Sequence, residues 1–298
     1  MRERGADRTD GAMKQLRDLV AEELSQPVDR RVTGVAQTIA SKHGSASRAV
    51  LFYGSCLRQK QLDGLMLDFY LIVADYGSAY AKRWLAVANG LIPPNVFYFE
   101  HDELAAKYAV LSEADFYRLN GPETSNVSVW ARFAQPARLV WVSDSEARDR
   151  AIDAVARAAP TLLAAAGLRP NESPFVLWQR AFALTYSAEL RAERKGRAAS
   201  VVELEPERYE RFTGPAMAAA RSMRPKGSRA WRRIEGKALS VLRLAKASFT
   251  FAGGAEYIAW KINRHAGTKI ELKPWQRRHP LLAAVTLLPR LLSSGAVR

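Results

Sequence analysis

Five short runs of branched and aromatic residues, RAVLFYG (48–54), LMLDFYLIV (65–73), NVFYFE (95–100), KYAVLS (107–112) and RLVWVS (138–143), gather the strand-forming sequence into one stretch of the first half. Runs this short, bounded by polar or turn residues, favour strands over helices. Around them the apolar residues take helical spacing: Leu16, Leu19, Val20 and Leu24, then Val32, Val35 and Ile39. SAYAKRWLAVANGL (78–91) predicts a helix closing at Gly90 before the Pro93-Pro94 break, and EADFYRL (113–119) predicts another. Strands interleaved with helices predict an α+β unit, a mixed sheet covered on at least one face.

From Asp144 the pattern turns helical. DSEARDRAIDAVARAAPTLLAAAG ends at Gly167, SPFVLWQRAFALTYSAELRAERKG starts at Ser-Pro and ends at Gly196, and EPERYERFTGPAMAAARSM predicts a third helix broken at Gly214-Pro215. The expected division is a catalytic unit over 1–143, a helical substrate unit over 144–220, with a winged helix as one form it could take, and a basic amphipathic tail over 221–298. With 48% hydrophobic and 25% charged residues in 298, the composition is globular. The charged start MRERGADRTDGAMKQLRDLV lacks the apolar core of a signal peptide. The apolar stretch Leu281 to Leu292 is interrupted by Pro289 and Arg290 and falls short of the roughly 18 residues of a spanning helix. The expectation is a cytoplasmic protein. A single cysteine, Cys56, excludes internal disulfides and cysteine-based zinc sites and fits a reducing compartment. The four histidines are dispersed without ligand spacing.

Charge is concentrated at one end. Residues 221–298 hold 17 Lys and Arg against 3 Asp and Glu, whereas residues 1–220 hold 28 against 27. Trp231, Tyr257, Trp260 and Trp275 are interleaved with that positive charge. Basic residues mixed with interfacial aromatics suit an anionic surface, either lipid headgroups or a nucleic acid backbone.

The chemistry sits where the first apolar run ends. Gly54-Ser55 follows the first strand, and Asp68 interrupts the second, thirteen positions after Ser55. Burying a carboxylate costs several kcal/mol without a partner, so an acid inside an apolar run marks a site. A glycine turn lets the backbone approach a triphosphate while serine adds a hydroxyl, and a carboxylate on the neighbouring strand can hold Mg²⁺ against the same phosphates. Gly-Ser followed by an aspartate resembles the nucleotidyltransferase superfamily of DNA polymerase beta-like enzymes, whose pattern continues Asp-x-Asp. Here the second acid position is Tyr70.

A closer likeness covers roughly residues 48–212. FYGS…MLDFYLIV resembles the YGSG…MxDFxFxV signature of the mitochondrial-type phosphatidate cytidylyltransferases, the mitochondrial translocator assembly and maintenance family, which itself has a single aspartate there. KYAVLSEADFYRLNGPETSNVSVWARFAQPARLV is similar to its KYGVIS…DL..W..LY.AGRL.KPV segment, with Lys107, Tyr108, Phe133 and Pro136 in register. ALTYSAELRAE resembles its GLSYSGDxRM helix, and LEPERYERF its VxPNxxxFRxLY. The chain departs from the family at Cys56 and Ala109, where the family has glycine, at PPNVFYF for GAGVYYN, and at Glu189 for aspartate.

The resemblance implies formation of CDP-diacylglycerol and pyrophosphate from CTP and phosphatidate, with Mg²⁺. It places Gly54 and Ser55 on the triphosphate, Asp68 on the metal, Lys107 and Arg191 on phosphate charge, and Glu189 beside the metal or base. Tyr108, Tyr186 and Ser187 become candidates for hydrogen bonds to nucleotide or lipid phosphate, and Glu100 for a second metal carboxylate, ahead of Asp63 and Asp75. A lipid substrate favours the anionic membrane surface over nucleic acid as the tail's partner, giving peripheral association with the inner face of the cytoplasmic membrane. A different phosphate acceptor, RNA included, and a non-catalytic binding scaffold are the alternatives that Tyr70 keeps open.

Overall fold

The computed structural model describes residues 2–58, 62, 64–102, 104–188, 201–250 and 273–274. Its centre is a mixed five-stranded sheet: β1 (Ser47–Tyr53), β2 (Met66–Val73), β3 (Asn95–His101), β4 (Leu104–Ser112) and β5 (Ala137–Val142), in the order β3-β4-β2-β1-β5. β2 runs parallel to β4, and the other neighbours are antiparallel. The strand periodicity sets two faces. Val50, Phe52, Phe69, Leu71 and Val110 face Val32, Val35 and Ile39 of α2 (Arg30–Lys42). Leu51, Tyr70, Ile72 and Leu111 face the opposite way, under Leu16, Val20 and Leu24 of α1 (Arg2–Leu24).

Side-chain caps start several of the helices. Asp29 accepts from Arg31 N at the start of α2. Ser112 accepts from Asp115 N to open α5 (Glu113–Asn120) directly at the end of β4, and Asp144 accepts from Ala147 N to open α7 (Ser145–Ala156). The core is continuous across Asp144. The sheet residues share it with Trp130 and Phe133 of α6 (Trp130–Phe133), with α7 and α8 (Ala158–Ala166), with Trp178 and Phe182 of α9 (Pro174–Ala188), and with Tyr209 and Phe212 of α10 (Pro206–Ala220). Trp178 Nε1 donates to Tyr209 O at 3.1 Å and to Thr213 Oγ1 at 2.9 Å, which ties α9 to α10.

Three expected helices differ in detail. The stretch 78–91 is split into α3 (Tyr76–Ala79) and α4 (Arg83–Leu91), because Asn89 is buried and donates to both Tyr80 OH and Val110 O, drawing Tyr80 into an extended conformation. The stretch 144–167 divides at Arg157, whose N–H turns back to Ala154 O and Val155 O. Pro160 then enters with no N–H to continue the ladder. The helix at 206–220 runs through Gly214-Pro215 without breaking, since Pro215 is buried in the packed face of α10.

The last described helix, α11 (Arg229–Thr250), turns cations inward. Arg232 is buried and donates to Pro225 O and Lys226 O. Arg243 donates to Pro93 O at 2.8 Å and Ser128 Oγ at 3.0 Å, and Lys246 donates to Ile92 O and Pro94 O. Trp231, Ile234, Val241 and Leu242 of the same helix are exposed. Among the described residues no helix is long and apolar enough to cross a membrane. The remainder of the expected tail lies outside them, apart from 273–274.

Candidate active site

The register of four strands lines up one row of polar side chains. Tyr53 of β1 lies opposite Asp68 of β2, Asp68 opposite Lys107 of β4, and Lys107 opposite Tyr98 of β3. Cross-strand partners share a face, so the row lies on the face that carries α1, at the end of the sheet where β1 stops and β2 begins.

Gly54 turns the chain out of β1 over this row. Its φ of +95° belongs to the region that glycine alone enters without strain, and a Cβ there would stand 3.2 Å from Asp68 Oδ2. The turn continues as a short 3-10 helix, Ser55–Arg58, with Leu57 N donating to Gly54 O. Ser55 is exposed, while Cys56 is buried and its Sγ reaches Met66 O at 3.4 Å, fastening the turn to β2. That contact accounts for a side chain where the resembled family has glycine.

Asp68 has an ion partner that the sequence did not supply. Lys107 Nζ lies 2.9 Å from Asp68 Oδ1, with the two side chains 25% and 21% exposed. The contact is off hydrogen-bonding alignment, and Oδ1 is sealed from solvent with no aligned donor among the described residues. Burial, with the Asp68 charge adding, pushes the Tyr53 phenol far above its ordinary range, so it remains a neutral neighbour of the carboxylate. Tyr53 and Tyr98 are the members of the row that motif reading missed; the alternation of β1 and β3 carries the signal.

Tyr70, at the second acid position, shares the face of Asp68 but lies deeper, 1% exposed among Tyr53 and Phe133 with ring centroids at 5.2 Å from each. A carboxylate at that depth would be desolvated without a partner, so the aromatic is a packing residue.

Glu100 is not brought onto Asp68. It is two strands away and two residues out of register, opposite Ala105, which puts the two Cα atoms roughly 12 Å apart. Lys107 and Tyr98 stand between the two carboxylates, so Glu100 would serve only an ion other than one held by Asp68. Tyr98 OH donates to Glu100 Oε1, and burial with that hydrogen bond adding pushes the Tyr98 phenol up to about 12. Tyr108 points to the opposite face from Lys107, where its OH lies 3.4 Å from His43 Nε2. Asp75 caps α3 by accepting from Ser78 N, beyond the far end of β2. Tyr186 and Ser187 fall in the last turn of α9, their side chains outside the described residues, as are Asp63, Glu189 and Arg191 altogether.

The donor set suits a hard cation held partly by substrate. Asp68 Oδ2, on the turn side, and a turn with no side-chain wall fit Mg²⁺, which keeps several waters and takes one or two protein carboxylates together with phosphate oxygens. Among the described residues there is no group of three or more His, Cys, Asp or Glu side chains that could hold a metal ion by itself.

No protein-family model matches the chain, and no curated protein matches it. A solved structure of a nucleotidyltransferase-like protein from Exiguobacterium sibiricum 255-15 is similar to it over 89% of this chain and 92% of its own, at 12% identity and a TM-score of 0.28.

Proposed function

We propose that the protein is a nucleotidyltransferase that moves the cytidylyl group of CTP onto phosphatidate, forming CDP-diacylglycerol and pyrophosphate at the inner face of the cytoplasmic membrane. The observation that carries the reading is the Gly54 turn closed over Asp68: a backbone with no side-chain wall faces Asp68 Oδ2, while Oδ1 pairs with Lys107.

The phosphate oxygen of phosphatidate attacks the α-phosphorus of CTP in line. The new P–O bond forms as the α–β bridging bond breaks, and pyrophosphate leaves. Such a transfer needs positioning and charge neutralisation more than a covalent intermediate. Gly54 admits the triphosphate to the backbone, and the exposed Ser55 supplies a hydroxyl. Asp68 would hold Mg²⁺, which supplies positive charge against the phosphates. Lys107, which pairs with Asp68, would neutralise charge on a phosphate oxygen beside that carboxylate. Arg191 and Glu189 remain candidates for the acceptor phosphate and the metal or base, on the resemblance alone. The outward apolar residues of α11, with exposed Arg233 and Lys237 on the same helix, support an anionic bilayer as partner.

A second reading, a nucleotide-binding scaffold without catalysis, is favoured by the Asp68–Lys107 pair, since a lysine occupies the carboxylate that a metal would need. One experiment separates the two: pyrophosphate release from CTP in mixed micelles of phosphatidate with Mg²⁺, beside Asp68→Ala. Release that requires phosphatidate and vanishes in the variant is the expected result. CTP binding without release, whatever the acceptor, would favour the scaffold; release with RNA or another phosphate in place of phosphatidate would change the acceptor.

A further inference from the structure

Glu100, two strands away from Asp68, stands in a setting of its own. It is exposed on the same sheet face as Asp68 and Lys107, near the β3–β4 turn. Ala105 opposite it offers only a methyl group, and a cavity of about 360 Å³ lined by Glu100, His101, Asp102 and Ala105 opens beside it. Tyr98 OH donates to Glu100 Oε1, which orients the carboxylate and leaves the other oxygen as an acceptor.

The two ends of this face differ in charge: Lys107 balances Asp68 at one, and the residue opposite Glu100 at the other, Ala105, is uncharged. At Gly54, Ser55 and Lys107 the groups suit phosphate. At the β3–β4 turn the carboxylates of Glu100 and Asp102 repel phosphate and accept hydrogen bonds. A nucleotide whose phosphates lie at Gly54 and Lys107 extends its ribose and base away from them, and the roughly 12 Å separating the Asp68 and Glu100 backbones is of that order. The depression beside Glu100 is open to solvent on one side and leaves room for a base ring. Carboxylates accept from the exocyclic amine of cytosine, whereas the carbonyl that uracil carries in its place is repelled.

We infer that Glu100 reads the nucleobase: its carboxylate, oriented by Tyr98, accepts a hydrogen bond from the exocyclic amino group of cytosine and so selects CTP over UTP. The inference rests on the nucleotidyltransferase reading and gives it a specificity residue. Glu100 is thereby a specificity residue and not part of the reacting centre.

The test is calorimetric binding of CTP and UTP, each with and without Mg²⁺, to the full chain and to Glu100→Gln and Tyr98→Phe. The wild-type protein is expected to prefer CTP by roughly 10–100-fold, and Glu100→Gln, whose amide can donate to uracil O4, to fall to within about threefold with its Mg²⁺ dependence unchanged. Tyr98→Phe is expected to weaken CTP binding while keeping part of the preference. Circular dichroism melts of both variants establish that they fold. An unchanged CTP preference in Glu100→Gln would overturn the assignment, and so would a loss of Mg²⁺ dependence without a change in base preference, which would make Glu100 a metal ligand. Failure of the wild-type protein to bind either nucleotide would overturn the nucleotidyltransferase reading itself, and this inference with it.

Discussion

A single torsion angle governs the candidate site. Gly54 holds φ at +95°, and the position its Cβ would take is 3.2 Å from the Asp68 carboxylate, so Gly54→Ala introduces backbone strain and crowds the acid. We expect that substitution to cost about 1–3 kcal/mol in urea unfolding and to abolish measurable CTP binding. A variant as stable as wild type that still binds CTP would show that the turn is not where phosphate enters. Residue-level reading of the sequence singled out Gly54, Ser55 and Asp68 because a glycine turn and a carboxylate in an apolar run are conspicuous one residue at a time. It did not pair Asp68 with Lys107, nor detach Glu100 from Asp68. Both facts depend on which residue of β4 lies opposite which of β2, and a parallel register joined by a long crossover is invisible in local sequence.

The elements themselves were legible wherever their signals were local. All five strands fall on short branched or aromatic runs, and Gly167, with φ of +78°, closes α8 where the sequence placed the stop. The misjudged helices were decided by distant partners: Asn89 by the carbonyl of Val110, and Pro215 by the packing of α10. α11 gives a prediction at this scale. Burial, with the charge of Arg243 adding, pushes Lys246 down to about 7, and the described groups it meets are the Ile92 and Pro94 carbonyls and Arg243. The unfolded or undocked lysine binds its proton up to about 10.4, so between the two values the undocked form holds more protons and docking strengthens as pH rises. Hydrogen exchange of residues 229–250, corrected for intrinsic rate, should therefore slow from about pH 7 to 9 in the wild type and stay level in Lys246→Met. Protection that falls over that range would reverse the sign and refute the buried-lysine account.

Across the whole molecule, the helical layer is fastened to its own beginning. Arg208 at the start of α10 forms an ion pair with Glu23 near the end of α1, both side chains 8% exposed, and Arg208 also donates to Ala134 O. Arg208→Met leaves the Glu23 carboxylate buried without its partner, and we expect a loss of about 3–5 kcal/mol in denaturant unfolding. The double variant Arg208→Met/Glu23→Leu should recover most of it; equal losses in both would assign the effect to packing rather than charge. The same pair also has a meaning in time. Its members are 185 residues apart, so at about 5–20 residues per second Arg208 leaves the peptidyl transferase centre roughly 10–40 s after Glu23. Throughout that interval the end of α1 presents a carboxylate whose partner has not been made. Chains cut short before Arg208 should for that reason hold the end of α1 less firmly than the full chain does.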